Sequence, residues 1–421
     1  VDECCFRILE LKNKLGLFEN PYKNIDNREE NELLSNKENL ELARRLTTKT
    51  IVLLKNENNI LPLNHKQKIA LIGPYADNIA ILGSWSMFSD KSKITTLKEA
   101  FEAKIGKENV IYVKGSEILE EREINQILQS DGGTMIHTEN EEEKLTQYLK
   151  EAKEAAKQAD VIVLAIGEHY RQSGEACSRA NIDISNIQKR LLNELAKLNK
   201  KIVAIMFNGR PIVLRDISEK VNGLLEAWFP GTEGANAITD IIFGDANPSA
   251  KLTMSFPQAT GQCPIYYNHY NTGRPHESNV RYVSRYQDIP TESYYPFGYG
   301  LSYSKFIYSF LNLSNKVLTK DSKIKVSVKI KNDSNRIGEE IVQLYIQDLV
   351  AKVVRPVKEL KAFQKVVILP KQEKEVTFEI SEDMLKFWDE NLRYDSENGD
   401  FKVYIGTNSE DTLFDTFSFK K

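Results

Sequence analysis

The chain has 421 residues, 41% of them apolar and 28% charged, a composition for two or three core-forming domains rather than a disordered polymer. Against 60 Asp and Glu stand 57 Lys and Arg, a net charge of −3, so no electrostatic footing exists for nucleic acid or an anionic membrane as partner.

The first expected element is a helix over 1–15, where Val1, Cys4, Ile8, Leu11 and Leu15 form a 3.6-period stripe and Gly16 is the stop. Such a stripe has to bury itself on something. The chain opens on Val1 inside that element, with no Met and no signal-peptide pattern, and so reads as a piece of something longer. A polar stretch over 23–32 reads as a linker. Ser35-Asn36-Lys37-Glu38 then has capping-box spacing ahead of Leu40, Ala43 and Leu46.

Between about 50 and 256, short apolar strands alternate with helical patterns. The strand candidates are 51–54, 69–72, 109–113, 161–166, 202–207 and 223–229, and the helical patterns cover 96–104, 143–159, 187–199 and 233–243. Near-continuous apolar strands are buried on both faces, which predicts a six-stranded, mostly parallel sheet with helices on both sides, an α/β sandwich. Residues 258–305 break the rhythm with Pro, Gly and Tyr, and a segment this long without period is more often functional or interfacial than a plain connector. Beyond it the period becomes two, at Ile324 to Ile330, Val342 to Ile346, Val376 to Ile380 and Phe401 to Ile405, as in an immunoglobulin-like or fibronectin-like sandwich. The expected division is therefore 1–35, 36–257, 258–305 and 306–421.

Several chemistries are excluded. The longest apolar runs, such as VIVLAI at 161–166, are far short of the ~20 residues that cross a bilayer, so no membrane span is expected. Cys4, Cys5, Cys177 and Cys263 have no CxxC spacing, the five histidines are scattered, and neither a disulfide scaffold nor a zinc site is expected. No Gly-rich phosphate loop, GxSxG elbow or HExxH is present, so no metal or other cofactor is implied.

The loop after the 161–166 strand carries chemistry. It runs Gly167-Glu168-His169-Tyr170-Arg171-Gln172-Ser173-Gly174-Glu175-Ala176-Cys177-Ser178-Arg179, leaving the carboxyl end of a buried strand, where open α/β sheets place ligands. Two carboxylates, an imidazole and two guanidiniums stand among small residues that let a substrate approach.

The order of motifs along the chain is more specific. Leu53-Leu54-Lys55-Asn56, Ile72-Gly73-Pro74-Tyr75-Ala76-Asp77-Asn78 and Gly83-Ser84-Trp85-Ser86 come first, then Ser173-Gly174-Glu175 with Ser178-Arg179. Asn208-Gly209-Arg210-Pro211, Ala227-Trp228-Phe229-Pro230-Gly231-Thr232-Glu233-Gly234, Phe243-Gly244-Asp245 and Tyr295-Pro296-Phe297-Gly298-Tyr299-Gly300-Leu301-Ser302-Tyr303 follow. This series resembles the carboxy-terminal portion of glycoside hydrolase family 3, most closely its bacterial β-glucosidases.

The resemblance implies the last helix of a (β/α)8-type barrel over 1–16, a linker, the α/β sandwich and a fibronectin type III-like domain. The barrel itself, with the family's aspartate nucleophile, is not among these residues. It also implies a β-glucoside or oligosaccharide substrate and retaining hydrolysis, in which one carboxylate attacks the anomeric carbon and the other shuttles a proton. The matching position for the second carboxylate is Glu175; a loop docked against sugar and barrel would desolvate it and lift its pKa. Glu168 is its rival, better suited by its place beside the strand to orienting the loop or binding substrate. Trp85 matches a position that can offer a flat ring to the leaving-group subsite, core packing being the other use of such a Trp. Arg179 is counted with Trp85 and Glu168 among the expected substrate-binding residues, and it either pairs with one of the two carboxylates or anchors the loop. Gly209-Arg210-Pro211 reads as a tight turn, with Pro at a first helical position. A non-catalytic carbohydrate- or partner-binding module, or a family 3 β-xylosidase, remains the alternative, and the compartment is not legible.

Overall fold

The computed structural model describes residues 1–23, 36–86, 91–130, 132–276 and 280–421. Most of the expected linker and Ser35 of the expected capping box lie outside them. The chain divides into a unit of residues 1–46 and one of 47–421.

In the first unit, α1 (Asp2–Lys14) forms where the stripe predicts it. Asp2 and Glu3 sit in its first turn and Lys12 and Lys14 in its last, matching the helix dipole, and Gly16 turns the chain away at φ +68°. No residue of α1 is buried, and Phe6, Ile8 and Leu11 are each more than half exposed. The next helix, α2, spans Lys37–Thr48.

The second unit opens with six strands: β1 (Val52–Asn56), β2 (Ile69–Ile72), β3 (Val110–Val113), β4 (Val161–Gly167), β5 (Lys201–Phe207) and β6 (Gly223–Glu226). They form one sheet in the order β1-β6-β5-β4-β2-β3. Strands β2 to β6 run parallel, while β1 pairs antiparallel with β6. Helices α3 (Leu97–Ile105), α4 (Glu121–Ser130), α5 (Glu141–Lys157), α6 (Asn186–Ala196), α7 (Arg215–Lys220) and α8 (Gly234–Phe243) connect or flank them. Val161, Val163 and Ala165 of β4 face a core shared with Phe101 of α3 and Ile238 of α8. Ile162, Leu164 and Ile166 face the opposite core with Ala152 of α5, Leu191 of α6 and Ile217 of α7. Every residue of β4 is buried, which is why its sequence shows no alternation.

Three departures from the sequence reading have local causes. β6 ends at Glu226 rather than 229, because Trp228 adopts φ +57° and turns the chain out of the sheet. Helix α7 has six residues, too few to print a 3.6 period. Helix α4 (EREINQILQS) has no buried residue and only three apolar ones to show a stripe.

No α-helix or strand occurs among the described residues of 258–305. After it come β7 (Phe306–Leu313), β8 (Val317–Thr319), β9 (Ile324–Asn332), β10 (Gly338–Asp348), β11 (Glu359–Ile368), β12 (Glu373–Ile380), β13 (Phe387–Trp388), β14 (Tyr394–Asp395), β15 (Gly399–Gly406) and β16 (Thr412–Lys420). A five-stranded sheet, β11-β10-β15-β16-β8, and a three-stranded one, β12-β9-β7, enclose one core that includes Val326, Val328, Leu344 and Val403. The four alternating runs of the sequence are β9, β10, β12 and β15. This sandwich is tied to the α/β part by a nearly buried ion pair, Lys251 Nζ standing 3.2 Å from Glu340 Oε1. Tyr308 and Thr407 also donate to that oxygen, at 2.9 and 2.8 Å.

Candidate active site

β3 and β4 lie on opposite sides of β2, so the strand order reverses there, and the carboxyl ends of β2 and β4 bound the crevice in which open α/β sheets hold ligands. Two glycines let the loops leave these strands. A Cβ on Gly73 would stand 2.1 Å from Ala165 O, and one on Gly167 would stand 1.9 Å from Phe207 O. No side chain fits either place.

The loop after β2 buries Tyr75 and Ala76 against the sheet. It continues through a 3-10 turn, 79–82, where Asn78 Oδ1 accepts from Ala80 N at 2.8 Å. Gly83, at φ +82°, then delivers Ser84 and Trp85. Trp85 is 66% exposed, so it is not a core residue of this chain. Its indole lies against the loop after β4, since a Cβ on Gly174 would be 3.3 Å from Trp85 Nε1. Ser84 Oγ donates to Ser173 O at 3.3 Å.

The loop after β4 begins with Glu168, whose side chain is wholly buried. Its Oε1 is 2.9 Å from Arg179 Nη1 and 3.1 Å from Arg210 Nε. Its Oε2 accepts from Gly209 N at 3.2 Å, and its backbone oxygen accepts from the Tyr75 hydroxyl at 2.5 Å. Arg179 also donates to Asp183 O at 2.8 Å. The carboxylate rival to Glu175 thus sits beneath the loop as part of its frame.

Next comes His169. Its Nδ1 accepts from Arg171 N at 3.2 Å, and its own N–H donates to Gln172 Oε1 at 3.0 Å. Burial, with the Arg171 charge, presses its imidazole down to about 4, so the ring is neutral above that pH. His169 also borders a cavity of about 260 Å³ that Pro74, Asn78, Lys114 and Glu117 help to line.

Glu175 stands exposed at the tip of the loop, between Gly174 at φ +111° and Ala176 at φ +58°. A non-glycine residue in the left-handed region carries a strain of about 1 kcal/mol or more, and such strain gathers where a side chain must be aimed. Of the residues singled out in the sequence, Trp85 therefore lies against Gly174, the neighbour of Glu175 in the adjoining loop, and Glu168 and Arg179 form an ion pair at the base of that loop.

Three further residues had no site role in the sequence reading, Asn208 and Arg210 standing there only within a turn motif. Asn208 and Arg210 follow β5, and Glu226 ends β6, so with Glu168 they occupy the carboxyl ends of three adjacent strands. Glu226 is completely buried, and its Oε1 accepts from Trp228 N at 3.0 Å. Burial pushes its carboxyl up to about 8 against the Trp228 and Asn208 hydrogen bonds, and the Glu168 charge adds to the rise. A neutral acid there avoids a second buried negative charge beside Glu168. The available signal was a carboxylate inside the apolar run GLLEAWF, a residue type rarely buried without a reason.

Among the described residues, no group of three His, Cys, Asp or Glu is arranged to hold a metal ion, and no helix is long and apolar enough to cross a membrane.

Residues 51–303 match the Glycosyl hydrolase family 3 C-terminal domain, and residues 340–409 match a fibronectin type III-like domain. The chain is 38% identical to a periplasmic beta-glucosidase of Salmonella typhimurium over 417 residues, 97% of this chain and 54% of that protein. It is 34% identical to a putative beta-xylosidase of Formosa agariphila over 431 residues, all of this chain and 52% of that protein. The beta-glucosidase of Listeria innocua, solved in complex with isofagomine, superposes with a TM-score of 0.88 at 38% identity, covering 99% of this chain and 55% of that one. The chain spans about half the length of the curated relatives it matches.

Proposed function

The chain belongs to glycoside hydrolase family 3, and from that membership we propose that it is the carboxy-terminal part of a retaining β-glucosidase that removes terminal β-D-glucosyl residues. In this reading Glu175 is the general acid/base: it protonates the glycosidic oxygen as the bond breaks, then takes a proton from the water that releases the sugar. The nucleophile is an aspartate of an N-terminal barrel, which also holds most of the glycone pocket. Trp85 lays its ring against the leaving group, covering the apolar C–H face of a sugar. Glu168 and Arg179 hold the loop rather than the substrate, a division that their burial and mutual pairing favour.

The observation that carries the proposal is the exposed Glu175 at the tip of a strained turn after β4, next to the Gly174 against which Trp85 lies. In the enzyme completed by the barrel, Glu175→Ala should lower kcat/KM steeply for glucosides with poor leaving groups and spare those with good ones. Azide should restore turnover by trapping the glucosyl-enzyme as glucosyl azide. Full activity of Glu175→Ala on cellobiose would remove the role from this residue. The 421 residues alone should not hydrolyse an aryl β-glucoside, since one carboxylate cannot both attack and protonate.

A β-xyloside is the second reading, favoured by the β-xylosidase relatives. The ratio of kcat/KM for nitrophenyl glucoside and nitrophenyl xyloside separates the two.

A further inference from the structure

The turn bearing Glu175 is the four residues Ser173 to Ala176, between Gln172 at the end of a 3-10 turn and Cys177, and its two ends converge on one side chain that follows another strand. Arg210, following β5, donates from Nη2 to Gln172 O and, at 2.7 Å, to Cys177 O. Its Nε faces Glu168 Oε1 at 3.1 Å. The guanidinium therefore bridges the base of the Glu175 turn and is itself held from below by a buried carboxylate. Neighbouring contacts reinforce the seat. Asn208 Nδ2 donates to Arg210 O at 2.9 Å, and Gly209 approaches so closely that a Cβ there would lie 2.2 Å from Ser173 Oγ. We infer that Arg210 is the positioning residue of the acid/base: it clamps both ends of the turn and so sets where the Glu175 carboxylate stands. The inference rests on the role proposed above for Glu175.

The choice of arginine follows from its chemistry. Its planar fork keeps its charge at any working pH, so Nη2 alone can donate to both carbonyls while the charge of the group faces the Glu168 carboxylate. Lysine offers a single mobile point charge in the same space. Removing the guanidinium leaves Arg179 on Glu168, so the buried carboxylate keeps a partner and the sheet below keeps its frame. What is lost is the guanidinium tie between residues 172 and 177, leaving only the Cys177 Sγ contact with Arg171 O across the base of the turn. A turn that loses this double tie places a carboxylate less well, and a misplacement of about 1 Å at a reacting group costs on the order of 10²-fold in rate.

Arg210→Met and Arg210→Lys, made in the barrel-completed enzyme beside Glu175→Ala, test this. Proton donation matters for a poor leaving group and little for a good one. Arg210→Met should therefore lose about 10²-fold in kcat/KM on cellobiose and only a few-fold on dinitrophenyl glucoside, with azide raising its turnover. Arg210→Lys should fall between wild type and Met. In the 421-residue chain itself, amide hydrogen exchange of Arg210→Met should quicken over 172–178 while β9 to β12 keep their protection. Equal losses on both substrates, or unchanged exchange over 172–178, would overturn the clamp. If Glu175→Ala shows the leaving-group dependence and Arg210→Met does not, the clamp alone fails. If Glu175→Ala lacks it too, the acid/base assignment fails first.

Discussion

Arg179 and Glu168, eleven residues apart along the chain, close the loop between them into a ring, with Nη1 2.9 Å from Oε1. The carboxylate is wholly buried, while the Arg179 side chain keeps 18% of its surface exposed. Paired charges of this kind matter less for the stability they add than for what their loss leaves behind.

Glu168→Gln should therefore be destabilising, by about 3 kcal/mol, because two partly buried guanidiniums lose their shared counter-charge. Arg179→Met should cost less, since Arg210 still faces the carboxylate. Urea denaturation of the two variants against wild type gives the order directly, and a larger loss for Arg179→Met would contradict it.

The buried acid at the end of β6 makes stability depend on pH. The Glu226 carboxyl is pushed up from 4.5 to about 8 in the folded protein. Between those values the folded chain holds a proton that the unfolded chain has released, so stability falls as pH rises through this window and levels off above it. Glu226→Gln cannot ionise and escapes that loss. Its stability relative to wild type should rise by a few kcal/mol from pH 5 to pH 8, read as the change in urea midpoint at the two pH values.

The glycine that ends β4 should tolerate nothing larger. Gly167→Ala would drive a methyl into Phe207 O of the neighbouring strand, and relief requires moving sheet backbone. Gly231→Ala is the control: it also sits at positive φ but in open space, and should cost only about 1–2 kcal/mol. Thermal melting of both should show Gly167→Ala as much the worse, by more than ~3 kcal/mol.

Trp85→Ala should act on binding more than on chemistry. Losing one aromatic platform should raise KM for cellobiose about tenfold in the completed enzyme, roughly 1.4 kcal/mol, with kcat and the azide response close to wild type. A kcat loss with unchanged KM would point instead to the ring supporting the Gly174 backbone.

Much of this protein is written along the chain. The uninterrupted apolar run of β4 reports burial on both faces, the alternation of β9, β10, β12 and β15 reports a half-buried sandwich, and the order of the Gly-Pro-Tyr, Ser-Gly-Glu and Trp-Phe-Pro-Gly motifs reports the family. The loop that carries Glu175 stands out because its Ser, Gly and Ala form a local signature, and the acid/base role proposed for that residue comes from the family. These signals survive in one dimension since each depends on residues within a few positions of one another. The antiparallel pairing of β1 with β6, the neutral Glu226 and the bridge from Arg210 to residues 172 and 177 are of another kind. They exist because the sheet sets β4, β5 and β6 side by side and so brings their carboxyl ends, Glu168, Asn208 to Arg210 and Glu226, into one small volume. An arginine in a turn motif and a glutamate in an apolar run look ordinary alone. Desolvation and the approach of partners from 33 to 58 residues away make one a clamp and the other a neutral acid.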